Sequence, residues 1–205
     1  METQMDLARV RKELATFRPP AKVETREAPD VGDPARPLPV PVGHGRPAVV
    51  MFLRHTGCPY AEATVIAVRK AAVLRPDVDF VAVSHTSEQS TSTWCTAVGG
   101  AEGVRVLTDE SRTSYAAWGV AARFSLDKEN RFHMFSTGAL GTAKRLQTEG
   151  IINRDPSGTR WQRAGTFAVD ASGTVRWRHL PAHAGEIPDI DAALRAVSDV
   201  STPAS

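Results

Sequence analysis

Cysteine is scarce in this chain, with only Cys58 and Cys95 among 205 residues. Two thiols cannot staple a disulfide-rich secreted scaffold. An excess of charge is also missing. Twenty-five basic residues against 23 acidic ones leave a formal net charge of +2, so no strong field draws the chain to nucleic acid or to an anionic membrane. No apolar run approaches the roughly 20 residues that span a bilayer; the longest, Ala48 to Leu53, is strand-sized. The opening METQMDLARVRKELATF interleaves charges with its apolar residues and lacks a signal-peptide core, while Glu2, Asp6 and Glu13 make it too acidic for a transit peptide. A reducing, cytoplasmic location is expected. The six histidines show no metal-ligand spacing, so no metal is expected. There is no GxGxxG, no Walker loop and no GxSxG, which leaves nucleotide binding and serine-hydrolase chemistry without a motif. Internal repeats are absent as well.

What is present is globular. Hydrophobic residues make up 41% and charged residues 23%, in a chain long enough for one full-sized domain and too short for two. Leu7, Val10, Leu14 and Phe17 lie on one face of a short helix over residues 6–17, which would dock on the domain or on a partner. Residues 18–46 carry Pro19, Pro20, Pro29, Pro34, Pro37, Pro39 and Pro41 and read as an extended arm or linker. Residues 1–46 are thus separated from a compact unit at 47–200, with a tail at 201–205.

Within that unit strands and helices alternate. Strands are expected at 48–54, 78–84 and 104–109, and helices at 58–74, 88–98 and 110–118, the second ended by Gly99-Gly100 and the third capped by Asp109. GTFAVD (165–170) and TVRWRHL (174–180) flank a turn with Gly173 and read as a hairpin, before a closing amphipathic helix at 189–200. Alternation of this kind implies an α/β fold: a central, mostly parallel sheet with flanking helices and an antiparallel C-terminal hairpin. The segment of about 120–163 is an insertion, either a lid or an extra packing layer, with Phe132 to Phe135 mostly apolar and a helix within 136–147.

The junction Arg54-His55-Thr56-Gly57-Cys58-Pro59-Tyr60-Ala61 places a thiol at a helix N-terminus beyond the carboxyl end of a strand. Unpaired N–H groups and the helix dipole stabilise a thiolate there, and open α/β sheets bind ligands outside strand C-termini. Pro59 suits the first helical position and Gly57 permits an unusual φ. The plain alternative is a buried, inert thiol. His55 is a candidate general base or thiolate stabiliser, and Arg54 a candidate source of positive potential. His85 ends the second strand at the same sheet edge. His133 has no fixed direction, and His179 and His183 follow the hairpin as surface residues. Trp94, Trp118 and Trp177 read as packing. Trp161, with Gln162, precedes the strand entrance Gly165-Thr166 and is a candidate substrate contact.

FLRHTGCPY and RWQRAGTFAVDASGTVRW resemble the alkyl hydroperoxide reductase/thiol-specific antioxidant (AhpC/TSA) superfamily, in its peroxiredoxin-like 2 branch with fungal homologues. The resemblance covers about Pro47 to Val200 and implies a thioredoxin-like fold whose cysteine thiol reduces peroxides or disulfides. The chain departs from the pattern in several places. The second cysteine of a Cys-x-x-Cys motif would stand at Ala61. The peroxide-polarising Thr or Ser position is His55, with Thr56 one step nearer, and the catalytic arginine position is Ala164, beside Arg163.

The expected function is a thiol-dependent oxidoreductase with Cys58 as nucleophile, assisted by His55 and Thr56. Arg54, Pro59, Tyr60, His85, Trp161, Gly165 and Thr166 would line the substrate site. Cys95 is the one internal candidate for a resolving thiol. No tightly bound cofactor is expected; without an internal partner, an external thiol such as glutathione would complete the cycle. The expected partners are a small-molecule substrate or thiol, not nucleic acid or membrane, with a homodimer left open. Two alternatives stand beside this: a thioredoxin-fold enzyme turned to non-redox chemistry on a small organic metabolite, and a non-catalytic binding module.

Overall fold

Ala48–Phe52 forms the central strand β1, and all five of its side chains are buried. Strand alternation divides them between two cores: Val49 and Met51 enter one, and Ala48, Val50 and Phe52 enter the other. A strand covered on both faces reads as a continuous apolar run, which is how this one appears in the sequence. In the computed structural model, residues 7–124, 136–152 and 156–198 are described.

In chain order the elements are α1 (Leu7–Thr16), β1, α2 (Pro59–Leu74), β2 (Asp79–Ser84), α3 (Glu88–Ala97), β3 (Val104–Thr108), α4 (Thr113–Ala117), α5 (Thr137–Thr148), β4 (Gly165–Val169), β5 (Val175–His179) and α6 (Ile190–Ser198). The five strands form one sheet in the order β3-β2-β1-β4-β5. β1 pairs parallel with β2 in the register Val50↔Val81, and β2 pairs parallel with β3. β4 runs antiparallel to β1 with Val50↔Phe167, and β5 returns antiparallel to β4. The mostly parallel sheet with an antiparallel hairpin is the expected architecture.

One face of the sheet is covered by α2, α3 and α6 through Val65, Val68, Trp94, Leu194 and Val197. The other face carries Tyr115, Trp118, Val120 and Phe167. Val42 lies in this second core and Ala28, Ala35, Leu38 and Val40 pack against it, all from the proline-rich stretch. That stretch also bonds beside β5: Gly32 N–H donates to the Val175 carbonyl at 2.9 Å and Ala35 N–H to the Gly173 carbonyl at 2.8 Å. Extended chain without its own hydrogen-bond ladder serves here as a packing layer. Gly43 is required for it, since a Cβ there would stand 2.6 Å from the Gly173 Cα.

α4 begins later than the sequence suggests. Arg112 turns through a left-handed φ of 60°, and the helix starts at Thr113. Asp109 nevertheless caps it, accepting the N–H groups of Thr113 at 3.1 Å and Ser114 at 2.7 Å. In the insertion, Ser136 caps α5 by accepting the Ala139 N–H at 3.0 Å, and α5 packs on α2. Residues 125–135, including His133 and the stretch Phe132 to Phe135, lie outside the described residues. Among the described residues no helix is long and apolar enough to cross a membrane.

Candidate active site

After β1 the chain turns sharply into α2. Gly57 takes a φ of +79°, which a side chain would resist, and Cys58 becomes the N-cap residue of α2 with Pro59 next to it. The Cys58 carbonyl accepts the Glu62 N–H at 3.0 Å, and the Cys58 N–H donates to the His55 carbonyl at 3.2 Å. This hydrogen-bonded turn fixes the sulfur where the helix presents its unpaired donors.

The junction is buried throughout. Arg54 is 5% exposed, His55 3%, Thr56 2% and Cys58 1%. Burying a guanidinium is costly unless its N–H groups are satisfied, and here three acceptors surround it. Nη1 reaches the Cys58 Sγ at 3.7 Å, Nη2 donates to the Arg160 carbonyl at 2.9 Å, and Nε to the Gln162 carbonyl at 3.4 Å. The guanidinium also lies 5.9 Å from the centre of the Tyr60 ring. Burial and the nearby Cys58 raise the Tyr60 phenol, with Arg54 pulling the other way. The Tyr60 hydroxyl donates to the Ala139 carbonyl at 2.7 Å, which joins the site to α5.

Both strand-end histidines are held neutral. Burial, then Arg54, Arg160 and His85, depress His55 well below the usual histidine value, and among the described residues neither of its ring nitrogens has a hydrogen-bond partner. An imidazole this reluctant to take a proton is a weak general base. His85 is depressed to about 3, mainly by burial and then by Arg112. Its Nε2 accepts the Thr159 N–H at 2.9 Å, so the ring is the neutral Nδ1–H tautomer. Thr56 is engaged by Ser157, its hydroxyl donating to the Ser157 carbonyl at 3.4 Å and its own carbonyl accepting the Ser157 N–H at 3.3 Å.

A cavity of about 20 Å³ opens beside Arg54, bounded by Tyr60, Gly165, Thr166, His179 and Glu186. It has room for a water-sized molecule. Gly165 is needed at the strand entrance because a Cβ would meet Val120 Cγ2 at 2.8 Å. The expectation that His179 is a surface residue is corrected here. β5 lies beside β4, which turns the ring inward; burial lowers its pKa, while Glu186, 4.0 Å away, works in the opposite direction. His183, expected at the surface as well, is likewise partly buried against Gly138 and sits 3.6 Å from the same carboxylate.

The fold therefore gathers Arg54, Tyr60, Gly165 and Thr166 around the cavity; Cys58 does not line it and is joined to it through Arg54. Trp161 is directed elsewhere: its indole N–H donates to the Phe17 carbonyl at 2.9 Å and its ring meets Phe124 edge-on at 4.7 Å. Cys95 is a free, half-buried thiol on α3, and burial raises its pKa. Sequence reasoning passed over three residues. Glu62, 3% exposed, stands four residues after Cys58 in the first turn of α2, a spacing that was visible. Arg160 contributes a backbone carbonyl, and Glu186 arrives through the fold of the C-terminal region; neither leaves a local signal. Among the described residues, no group of three or more His, Cys, Asp and Glu could hold a metal.

Residues 64–183 match the family described as AhpC/TSA antioxidant enzyme; the match begins six residues beyond Cys58. No curated protein matches the sequence. Among solved structures, a peroxiredoxin-like protein from Aquifex aeolicus superposes with a TM-score of 0.61 at 15% identity, covering 86% of this chain and 90% of that one. A thiol peroxidase from Chromobacterium violaceum gives 0.58 at 11% identity, covering 87% and 91%. At these identities the likeness is one of fold.

Proposed function

This chain belongs to the AhpC/TSA antioxidant enzyme family, and from that premise we propose that it is a thiol-dependent oxidoreductase with Cys58 as its single reacting sulfur. The observation that supports this most strongly is the Arg54 guanidinium donating to the Cys58 Sγ at 3.7 Å, at the N-cap of α2. A cation and a helix N-terminus are the two surroundings that stabilise a thiolate.

The chemistry balances with a peroxide and two equivalents of an external thiol. The Cys58 thiolate attacks the distal oxygen of the hydroperoxide, the O–O bond breaks, and the departing alkoxide takes a proton and leaves as an alcohol. Cys58 is then a sulfenic acid. A thiol such as glutathione displaces hydroxide from that sulfur, releasing water and leaving a mixed disulfide. A second thiol attacks the mixed disulfide, returns Cys58 as the thiolate and leaves as the oxidised dimer. Arg54 would hold the thiolate and, with Thr166 and Tyr60, border the space for the peroxide oxygens. With His55 held neutral and poorly basic, activation falls to Arg54 and the helix N-terminus rather than to a histidine base.

One observation favours the second reading, a non-catalytic module with an inert core thiol: Cys58 is 1% exposed. The two readings separate in a turnover assay with a small hydroperoxide and glutathione. Peroxide consumption with oxidised glutathione as product, lost in Cys58→Ser and retained in Cys95→Ser, supports the oxidoreductase. Consumption no faster than without protein contradicts it.

A further inference from the structure

Residues 156–163 bond to the side chains or backbone of Thr56, His85 and Arg54, and so lie across the carboxyl edge of β1 and β2 where Cys58 is buried. Gly158 fits so closely that a Cβ would stand 2.6 Å from both His85 Nε2 and Thr86 Cγ2. The middle of this stretch is held from outside by α1. The Arg160 side chain donates from Nε to the Thr16 hydroxyl at 2.7 Å, pairs through Nη2 with the Glu13 carboxylate, and lies 4.8 Å over the Phe17 ring. The Arg160 N–H donates to the Thr16 carbonyl at 2.9 Å, and the Trp161 indole N–H to the Phe17 carbonyl at 2.9 Å. One residue, Arg160, thus joins α1 on its side-chain face to Arg54 through its carbonyl, and Arg54 touches the sulfur.

We propose that α1 is a strap that keeps the 156–163 segment closed over Cys58, with Arg160, Glu13 and Thr16 as its clasp. The contacts are polar and partly buried, with Arg160 and Glu13 side chains 23% and 28% exposed and Thr16 buried, while Leu7 and Leu14 of α1 remain 68% and 65% exposed. A helix attached through its polar groups, with both of its leucines exposed, is a low-stability element that releases before the core does. Its release frees the segment and opens a path to the thiol. The device rests on the reading of Cys58 as the reacting sulfur, but its test measures access rather than turnover.

The experiment uses the full-length reduced chain and follows alkylation of each cysteine by peptide mass spectrometry. Two uncharged reagents are compared: iodoacetamide and a bulky polyethylene-glycol maleimide. In Glu13→Gln/Thr16→Val, modification of Cys58 by the maleimide is expected to rise about tenfold, the rise with iodoacetamide to be smaller, and Cys95 to keep its wild-type rate. Raising salt to about 1 M shortens the screening length to about 3 Å and should give the same selective rise in the unaltered protein, which keeps the test independent of how well the variant folds. A Cys58 rate unchanged by both substitution and salt, or Cys58 and Cys95 rising together, overturns the strap. Faster alkylation in the variant with no peroxide turnover in either protein leaves the strap standing and removes the catalytic reading.

Discussion

Cys58 and Cys95 both border the core between the sheet and helices α2, α3 and α6, yet they occupy opposite chemical surroundings. Cys95 sits mid-helix and is half-buried, and desolvation alone pushes its thiol up. Cys58 is the more buried of the two, but its burial comes with a guanidinium N–H at 3.7 Å and with the open end of α2. The contrast is one of surroundings: a guanidinium and a helix end are buried with one sulfur, and only desolvation acts on the other, and on the proposed function it is the groups buried with a thiol, not burial alone, that decide its chemistry. It also separates access from activation. Cys95 is the more exposed sulfur, while Cys58 is the one with a cation and a helix N-terminus beside it.

The sharpest way to break this contrast is to remove each sulfur in turn. Cys58→Ser is expected to lower peroxide turnover at least about a thousandfold, as loss of a covalent nucleophile does. Next in size is the cation. Arg54→Met should slow oxidation of Cys58 about a hundredfold in stopped-flow measurement, the scale of losing one preorganised electrostatic contact. Arg54→Lys should recover only part of this, because an ammonium cannot serve the sulfur and the two carbonyls as the fork does. Both variants should also melt earlier, since the Arg160 and Gln162 carbonyls lose their donor.

A third prediction concerns pH and belongs to the Cys58 side alone. His85 is neutral in the fold down to about 3, whereas in the unfolded chain it protonates near 6.5. Below 6.5 the unfolded state therefore binds the extra proton, so stability is full above that pH and falls as pH drops towards 3. The slope is at most about 1.4 kcal/mol per pH unit for one such group. Urea titrations across this range should show the loss, and His85→Gln should reduce it by one group's share while keeping an acceptor for the Thr159 N–H, the remainder belonging to the likewise depressed His55 and His179. The smallest effect expected is that of Cys95→Ser, which should leave turnover within about twofold of wild type in the same assay.

Much of the architecture was legible because its signals are local. The apolar run of β1, the turn at Asp170 to Gly173 and the cap at Asp109 each depend on neighbours within a few residues. The Arg54 to Tyr60 part of the site was legible for the same reason, since one strand end and one helix start hold all of it. The remaining parts arrive from far along the chain. His179 and Glu186 reach the cavity through the β4–β5 pairing, and Arg160 acts through a backbone carbonyl that no residue type announces. The packing of Ala28 to Val42 on the sheet left no periodic pattern, because extended chain with many prolines has neither the helical nor the strand repeat.

The most direct measurement is mass spectrometry of the reduced protein after one equivalent of hydrogen peroxide, with and without glutathione. Oxygen should appear on Cys58 in the first case and a glutathione adduct on Cys58 in the second, with Cys95 unmodified in both. Oxidation confined to Cys95, or neither sulfur reacting faster than free cysteine, would contradict the assignment.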